Sequence, residues 1–481
     1  MNKKFYITTA IPYVNANPHI GFSLELLQAD VVARYNRLIG SDTFFLTGTD
    51  DNALKNVQAA ERAGKETKEF VNENQARFIL LSKQLGISYD DFIKTADKFH
   101  HTGAQKFWSS CKPDDLYKKK YSGFYCVGCE AFYTEKDLVD GKCPEHDTAL
   151  ELVEEENYFF KLSNYQKKLE ELVESDKFRV VPESRKNEVL SFIKSGLEDF
   201  SISRSVKRAK NWGVRVPGDD SQIMYVWFDA LSNYITALDY EHNSEKFQKY
   251  WPADVQVIGK GIIRFHAVYW PAMLLSAGLQ PPKVLFVHGY INIDGGKMSK
   301  SLGNVIDPFE ILEKYGVDTT RYYLLRYIHP VQDSDFSYEK LEEGYRADLA
   351  NGIGNLASRV SGLIEKNGIE VKIQKTDIAA DKTIKKHIEN FQFDQGLKYI
   401  WEKIRMLDVF VSEKEPWTLA KTKKLDELKE VLQKASQGIY EVAVLLQPFL
   451  PQTSERIIKQ FTSEKITKGE ALFPRFEIHK K

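Results

Sequence analysis

The chain has 481 residues, 42% hydrophobic and 28% charged, with a net charge of −1. These fractions describe a soluble globular protein of about three domains and exclude disordered and collagen-like chains. No stretch approaches the roughly 20 continuous apolar residues of a bilayer span, and the opening Met1–Phe5 carries no apolar leader, so a cytoplasmic protein without a membrane partner is expected.

In chain order, Phe5–Ala10 is β-branched and aromatic and predicts a buried strand. Pro12–Pro18 is a turn-rich loop, and a helix is expected from about Phe22 to Leu38, with Leu24, Leu27, Val31 and Tyr35 on one face and Gly40 as its end. Thr43–Thr47 predicts a second strand. Strand, helix and strand in this span form a βαβ unit, which requires a parallel sheet. The alternation returns with strands at Val255–Gly259 and Val284–Val287, separated by a helix over Phe265–Leu275. Between these α/β halves, residues 116–219 predict an insertion of short, charged strands. From about Tyr338 the pattern is helical almost throughout, and from Arg346 onward 24 Lys+Arg face 19 Asp+Glu, a balance of +5 against −6 for the rest. A mildly basic helical end permits contact with a polyanion.

The insertion holds three of the four cysteines. Cys126-x2-Cys129 and, 13 residues later, Cys143-x2-His146 are two knuckles whose side chains suit the four tetrahedral positions of Zn²⁺. With all four positions filled by protein there is no place for water, so one structural Zn²⁺ is expected. Gly128 and Gly141 suit the tight backbone of such knuckles. Cys111 stands apart and reads as a plain buried thiol.

Two motifs carry nucleotide chemistry. Pro18-His19-Ile20-Gly21 lies where the first strand gives way to the first helix, and helix N-termini favour anions. His19 there can donate to a triphosphate, and Gly21 lets a flat base approach the backbone. Lys297-Met298-Ser299-Lys300-Ser301 follows the Val284–Val287 strand in a glycine-flanked loop, where Lys297 and Lys300 can meet charge developing on phosphate.

Together these resemble the HIGH and KMSKS motifs of class I aminoacyl-tRNA synthetases. From about Phe5 to Trp417 the chain resembles the methionyl-tRNA synthetase family, through Ala10-Ile11-Pro12-Tyr13, Gly48-Thr49-Asp50, Val226-Trp227-Phe228-Asp229-Ala230-Leu231, Phe265-His266-Ala267, His288-Gly289-Tyr290 and Lys297–Ser301. The single knuckle pair resembles the one-zinc subgroup. The resemblance implies a Rossmann-type parallel-sheet catalytic domain (1–115 and 220–326) split by a zinc-bearing connective insertion (116–219). A stem-contact linker (327–345) and an all-α anticodon-binding domain (346–481) would follow.

It also implies a methionine–tRNA ligase that uses ATP, L-methionine and tRNA(Met), initiator tRNA included, with Mg²⁺ accompanying ATP. His19, Lys297 and Lys300 would be catalytic, and with Gly21 would bind ATP. Asp50 and the backbone near Ile11 would hold the methionine ammonium. Tyr13, Trp227, Ala230, Leu231, Tyr234, Ile262, Phe265 and His266 would line or cover its side chain, in keeping with the soft apolar pocket a thioether needs.

In the helical region, Leu349, Ile353, Leu356 and Val360 form a buried stripe, with Asn355 and Arg359 four apart on a neighbouring face. Gly352-x-Gly354-x-x-Ala357 mimics a dinucleotide fingerprint but lacks the preceding strand. The resemblance assigns Asn355, Arg359 and Trp417 to the anticodon. Read alone, Trp417 fits a core position equally well.

The chain departs from the family at Phe22, where a second histidine is usual, at Asn52-Ala53 for His-Gly, and at Gly261 for aspartate. These departures keep a non-catalytic tRNA-binding paralogue as one alternative. Another class I synthetase is a second: the leucyl type would need a larger insertion, and the cysteinyl type a zinc in its amino-acid pocket. A chain ending near residue 481 suggests a monomer.

Overall fold

The computed structural model describes residues 3–126, 131–133, 138–143, 149–293, 296–297 and 306–474. They divide into two compact units: Met1–Ala29, Asp42–Lys83 and Ser88–His288 in one, and Asp30–Ser41, Gln84–Ile87 and Gly289–Lys481 in the other.

The first unit is built on a parallel sheet. Its strands are β1 (Lys4–Thr9), β2 (Asp42–Thr49), β3 (Asp91–Lys94), β7 (Arg179–Val181), β12 (Val255–Gly259) and β13 (Val284–His288), in the order β3-β2-β1-β12-β13-β7. The βαβ reading holds. Helix α1 (Ile20–Leu38) joins β1 to β2, its expected face at Leu24, Leu27, Val31 and Tyr35 is fully buried, and Gly40 closes it at φ +82°. Chain order reverses between β1 and β12. In open parallel sheets such a switch point opens a crevice at the carboxyl ends of the strands.

Antiparallel strands occupy the expected insertion. β4 (Leu116–Cys126), β5 (Ala131–Tyr133), β6 (Glu151–Phe160) and β8 (Phe200–Ser201) form one sheet. β9 (Ser203–Ser205), β10 (Arg215–Val216) and β11 (Asp219–Met224) form another. One strand of this segment behaves differently from the sequence expectation. β7 leaves the insertion and pairs in parallel with β13, extending the parallel sheet at its edge.

The longest stretch of the second unit starts at Gly289, well ahead of residue 346, and takes in helix Val317–Arg326, which was expected to belong with the first. The short strands β14 (Ile291–Ile293), β15 (Gly296–Lys297) and β16 (Ser334–Asp335) form a small sheet of their own. A buried charge explains why helix Val317–Arg326 belongs here. Arg321, fully enclosed, pairs with Asp30 at 2.7 Å and donates to the carbonyls of Phe449 (2.7 Å), Pro448 (3.1 Å) and Leu85 (3.3 Å). Burial lowers the guanidinium pKa and Asp30 opposes that shift. A guanidinium with this many acceptors is the arrangement in which a buried charge is tolerated. The long helices Phe393–Lys414 and Leu425–Leu446 bury one face each in the core of this unit. No helix among the described residues is long and apolar enough to cross a membrane.

Candidate functional site

The switch point gathers the expected amino-acid residues in the first unit. After β1, Pro12 accepts the Asp50 amide at 2.9 Å, and Tyr13 bridges to Asp50 in parallel fashion, so the chain leaving β1 and the chain leaving β2 run side by side. Gly48, two residues before Asp50, permits close approach of β3 to β2: a Cβ there would fall 2.2 Å from the Ile93 carbonyl oxygen. Asp50 is buried, and its Oδ1 accepts from the Asn52 amide (3.2 Å) and from Thr95 Oγ1 (3.4 Å). Ile11 is half-buried against the core beside these groups.

An aromatic wall joins this carboxylate loop through Tyr13. Trp227 lies on the short helix Val226–Leu231 and stacks on Phe265 with ring centres 3.9 Å apart and planes within 6°. Tyr13 and His266 meet its edges, each at 6.2 Å. Phe265 and His266 open a π-helical turn, Phe265–Tyr269, a feature frequent at functional sites. His266 Nδ1–H donates to the Ile262 carbonyl (3.0 Å), which leaves Nε2 to accept from Tyr234 Oη (2.8 Å). Burial pushes the His266 pKa down to about 4, so the ring is neutral at pH 7. Ala230 and Leu231 are buried on the Trp227 helix. All ten residues expected around methionine therefore lie in this unit, and Tyr13, Trp227, Tyr234, Phe265 and His266 form one continuous set of ring contacts.

Sequence reasoning did not single out the polar layer behind the wall. Asp229, quoted only as part of a matching stretch, is buried with both carboxylate oxygens bonded, one to Asn52 Nδ2 (2.8 Å) and one to His100 Nε2 (2.6 Å). His100 Nδ1 meets Thr236 Oγ1 at 2.8 Å. Only the density of chemistry-bearing residues in Asp50-Asp51-Asn52 hinted at such a network.

Asp51 is also buried, and desolvation pushes its pKa up to about 6. A carboxyl group whose folded pKa exceeds its unfolded value favours the folded state more as pH falls, and weighs against it above the folded pKa. Asp51→Asn is therefore expected to raise Tm at pH 8 by more than at pH 5. An equal change at both pH values, read by thermal melts, would contradict this.

His19 precedes α1 and is exposed, and its Nδ1 accepts the Gly21 amide at 3.1 Å. A Cβ at Gly21 would sit 3.0 Å from that ring. The accepting role of Nδ1 puts the proton of the neutral ring on Nε2. Phe22 is buried edge-on to Phe78 at 5.2 Å, so the departure there serves apolar packing rather than polar chemistry. Gly261 lies exposed in the turn Lys260–Ile262. In the second unit the Lys297 backbone pairs with Asn292, while Lys300 lies outside the described residues.

Of the expected metal ligands, Cys126 ends β4 and Cys143 follows a two-residue hairpin turn, Asp140-Gly141, with both residues at positive φ. Asp-Gly is a favoured pair for that turn. Both cysteines are 1% exposed, and Cys143 Sγ lies 3.9 Å from Tyr133 Oη. Two buried thiols, one at a strand end and one after a tight turn, fit a thiolate site for a soft metal. Cys129, His146 and Gly128 lie outside the described residues. Cys111 is the buried thiol anticipated, its pKa pushed up to about 12 by burial.

In the second unit the stripe Leu349, Ile353, Leu356 and Val360 is fully buried. Helix Asn355–Asn367 follows a π-helical run, Tyr345–Gly354, rather than a strand. Asn355 is exposed. Arg359 pairs with Asp408 (2.9 Å) and its guanidinium lies 5.4 Å from the Trp417 ring centre. Trp417 is 43% exposed, which removes the core reading.

The model of the family described as tRNA synthetases class I (M) matches residues 5–151 and 146–361. The methionine–tRNA ligases of Caldanaerobacter subterraneus subsp. tengcongensis and Brucella suis are each 42% identical to the chain. The alignments cover 100% and 95% of it, and 80% and 91% of those relatives. The Mycobacterium tuberculosis methionyl-tRNA synthetase in complex with methionyl-adenylate has the same fold at TM-score 0.92 and 37% identity, covering 98% of this chain and 100% of that one. With the sheet order and all three comparisons in agreement, the chain belongs to the methionyl-tRNA synthetases of class I.

Proposed function

We propose that the chain activates L-methionine with ATP and transfers it to tRNA(Met), initiator tRNA included. The observation that carries the substrate reading is that Tyr13, which bridges to the buried Asp50, also meets the edge of Trp227, so that one buried carboxylate and the Trp227–Phe265–His266 wall share a neighbour. A carboxylate suits the α-ammonium, and a largely apolar aromatic pocket suits a thioether. The neutral His266 and the Tyr234 hydroxyl mark its buried end without adding a charge.

In the first step the methionine carboxylate attacks the α-phosphate of ATP, forming the mixed anhydride and releasing pyrophosphate. A terminal adenosine hydroxyl of the tRNA then attacks the activated carbonyl and AMP leaves. No protein nucleophile is required. The reaction rests on positioning and on cations and N–H donors meeting phosphate charge. His19 at the start of α1 is read as one donor and Lys297 and Lys300 as the cations, with Gly21 beside the nucleotide. Mg²⁺ enters as the ATP complex. Asn355, Arg359 and Trp417 are read as the anticodon contacts.

Amino-acid-dependent pyrophosphate exchange tests this reading. Methionine alone should support exchange. Exchange with leucine or cysteine instead would mean another class I specificity, and tRNA binding without any exchange would mean a non-catalytic paralogue. The protein is read as a cytoplasmic monomer, for which light scattering should give a mass near 55.4 kDa.

We also infer one structural Zn²⁺ on Cys126, Cys129, Cys143 and His146, supported by the burial of Cys126 and Cys143 and by the hairpin turn ahead of Cys143. The metal would tie the end of β4 to that hairpin. Cys126→Ser should lose the metal and lower Tm, because a site short of one thiolate binds poorly. Lost activity with unchanged metal content and Tm would contradict a structural role.

A further inference from the structure

Asn52 departs from the family pattern, yet it links the Asp50 loop to the helix that carries Trp227. It is 7% exposed, and its side-chain amide donates both hydrogens, one to the Thr95 carbonyl (2.9 Å) and one to Asp229 Oδ2 (2.8 Å). Its backbone N–H donates to Asp50 Oδ1 (3.2 Å). One residue thus touches the carboxylate at the ammonium end and the carboxylate that anchors the Trp227–Leu231 helix. His100 grips the other oxygen of Asp229 at 2.6 Å from helix Lys98–Ser110. That helix lies close by: a Cβ on its Gly103 would fall 2.6 Å from Thr236 Cγ2. Three chain segments distant in sequence are keyed to one buried carboxylate.

We propose that Asn52 and Asp229 are positioning residues that set the span between Asp50 and the Trp227–Leu231 wall, and through it the length of unbranched amino-acid side chain the crevice accepts. This rests on the reading of Asp50 as the ammonium site. Buried polar groups whose hydrogen bonds are all made hold their elements in one arrangement, and loss of one partner leaves the rest unsatisfied. The side-chain amide of Asn52 and both carboxylate oxygens of Asp229 are engaged by protein groups, so each residue acts through the elements it holds. A span set this way discriminates by methylenes, and one methylene in an apolar pocket is worth about 10–200-fold in kcat/KM.

The test is pyrophosphate exchange on the full chain with methionine and with norvaline, whose side chain is one atom shorter. Asn52→Ala is expected to raise KM for methionine about tenfold, to leave KM for ATP within about twofold, and to lower the methionine-to-norvaline ratio of kcat/KM about tenfold. Asn52→His restores an N–H donor toward Asp229 and should return the ratio to near the parent value. Asp229→Asn preserves the shape of its side chain and gives a second reading should Asn52→Ala fail to fold. Movement of both KM values together, or an unchanged methionine-to-norvaline ratio in folded Asn52→Ala or Asp229→Asn, would overturn the proposal. Asp50→Asn separates the two layers. If it leaves KM for methionine unchanged, the ammonium reading fails and the positioning proposal with it. If it raises that KM while Asn52→Ala does not, only the positioning proposal falls.

Discussion

Lys300→Ala is expected to slow methionine-dependent pyrophosphate exchange by about 10²–10³-fold, the cost of removing one donor from developing oxyanion charge. Methionine affinity should stay near the parent value, because the groups read as holding methionine belong to the sheet unit, from Ile11 to His266. Such a split, a lower rate with intact ground-state binding, is the pattern of an interaction made mainly in the transition state. The Lys297 backbone is held by pairing with Asn292. Lys297→Ala should give a change in the same direction. Equilibrium methionine binding and single-turnover adenylate formation, measured on one preparation, check the claim. Parallel losses in affinity and rate would remove Lys300 from the chemistry.

Trp417→Ala should act at the other end of the reaction. Stacking on an aromatic side chain is worth about 1–3 kcal/mol per base, so charging of tRNA is expected to fall about 5–150-fold. Methionine-dependent exchange in the absence of tRNA should stay near normal. The structure sharpens this test. A buried tryptophan costs roughly 3–5 kcal/mol when truncated, whereas Trp417 is 43% exposed, with the Arg359 guanidinium 5.4 Å from its ring centre. Its removal should therefore cost little stability, and a large fall in Tm is not expected. The Arg359–Asp408 ion pair is itself partly exposed, so its own contribution to folding is small. If exchange falls as far as charging, Trp417 acts through packing and its anticodon role is lost.

Local periodicity carried the fold a long way. β1, α1 and β2 sit within two residues of the spans read from β-branched runs and the apolar stripe. β12 matches its expected span and β13 adds only His288. The stripe from Leu349 to Val360 is buried as its spacing requires. These features are legible because burial of one face imposes a period on the chain that makes it. The residues read as holding methionine were picked out for a different reason: they fall in short motifs that resemble a known family.

Other features depended on the path of the chain in three dimensions. β7 reads as an ordinary strand of the insertion, and only its pairing with β13 makes it an edge of the parallel sheet. Helix Val317–Arg326 lies within the segment 220–326 expected to be catalytic, but the enclosed Arg321 ties it to Asp30 and to carbonyls at Pro448 and Phe449. Asn52, His100 and Asp229 meet across 129 and 177 residues of separation. Phe22 stands where the family usually has a histidine, and the Phe78 ring shows why an apolar side chain suits that place. The sequence by itself determined which segments are helices and strands and which motifs bear chemistry, because those follow from neighbours along the chain. Tertiary structure alone decided which buried polar groups partner one another, since a hydrogen bond between distant segments leaves no period in the sequence.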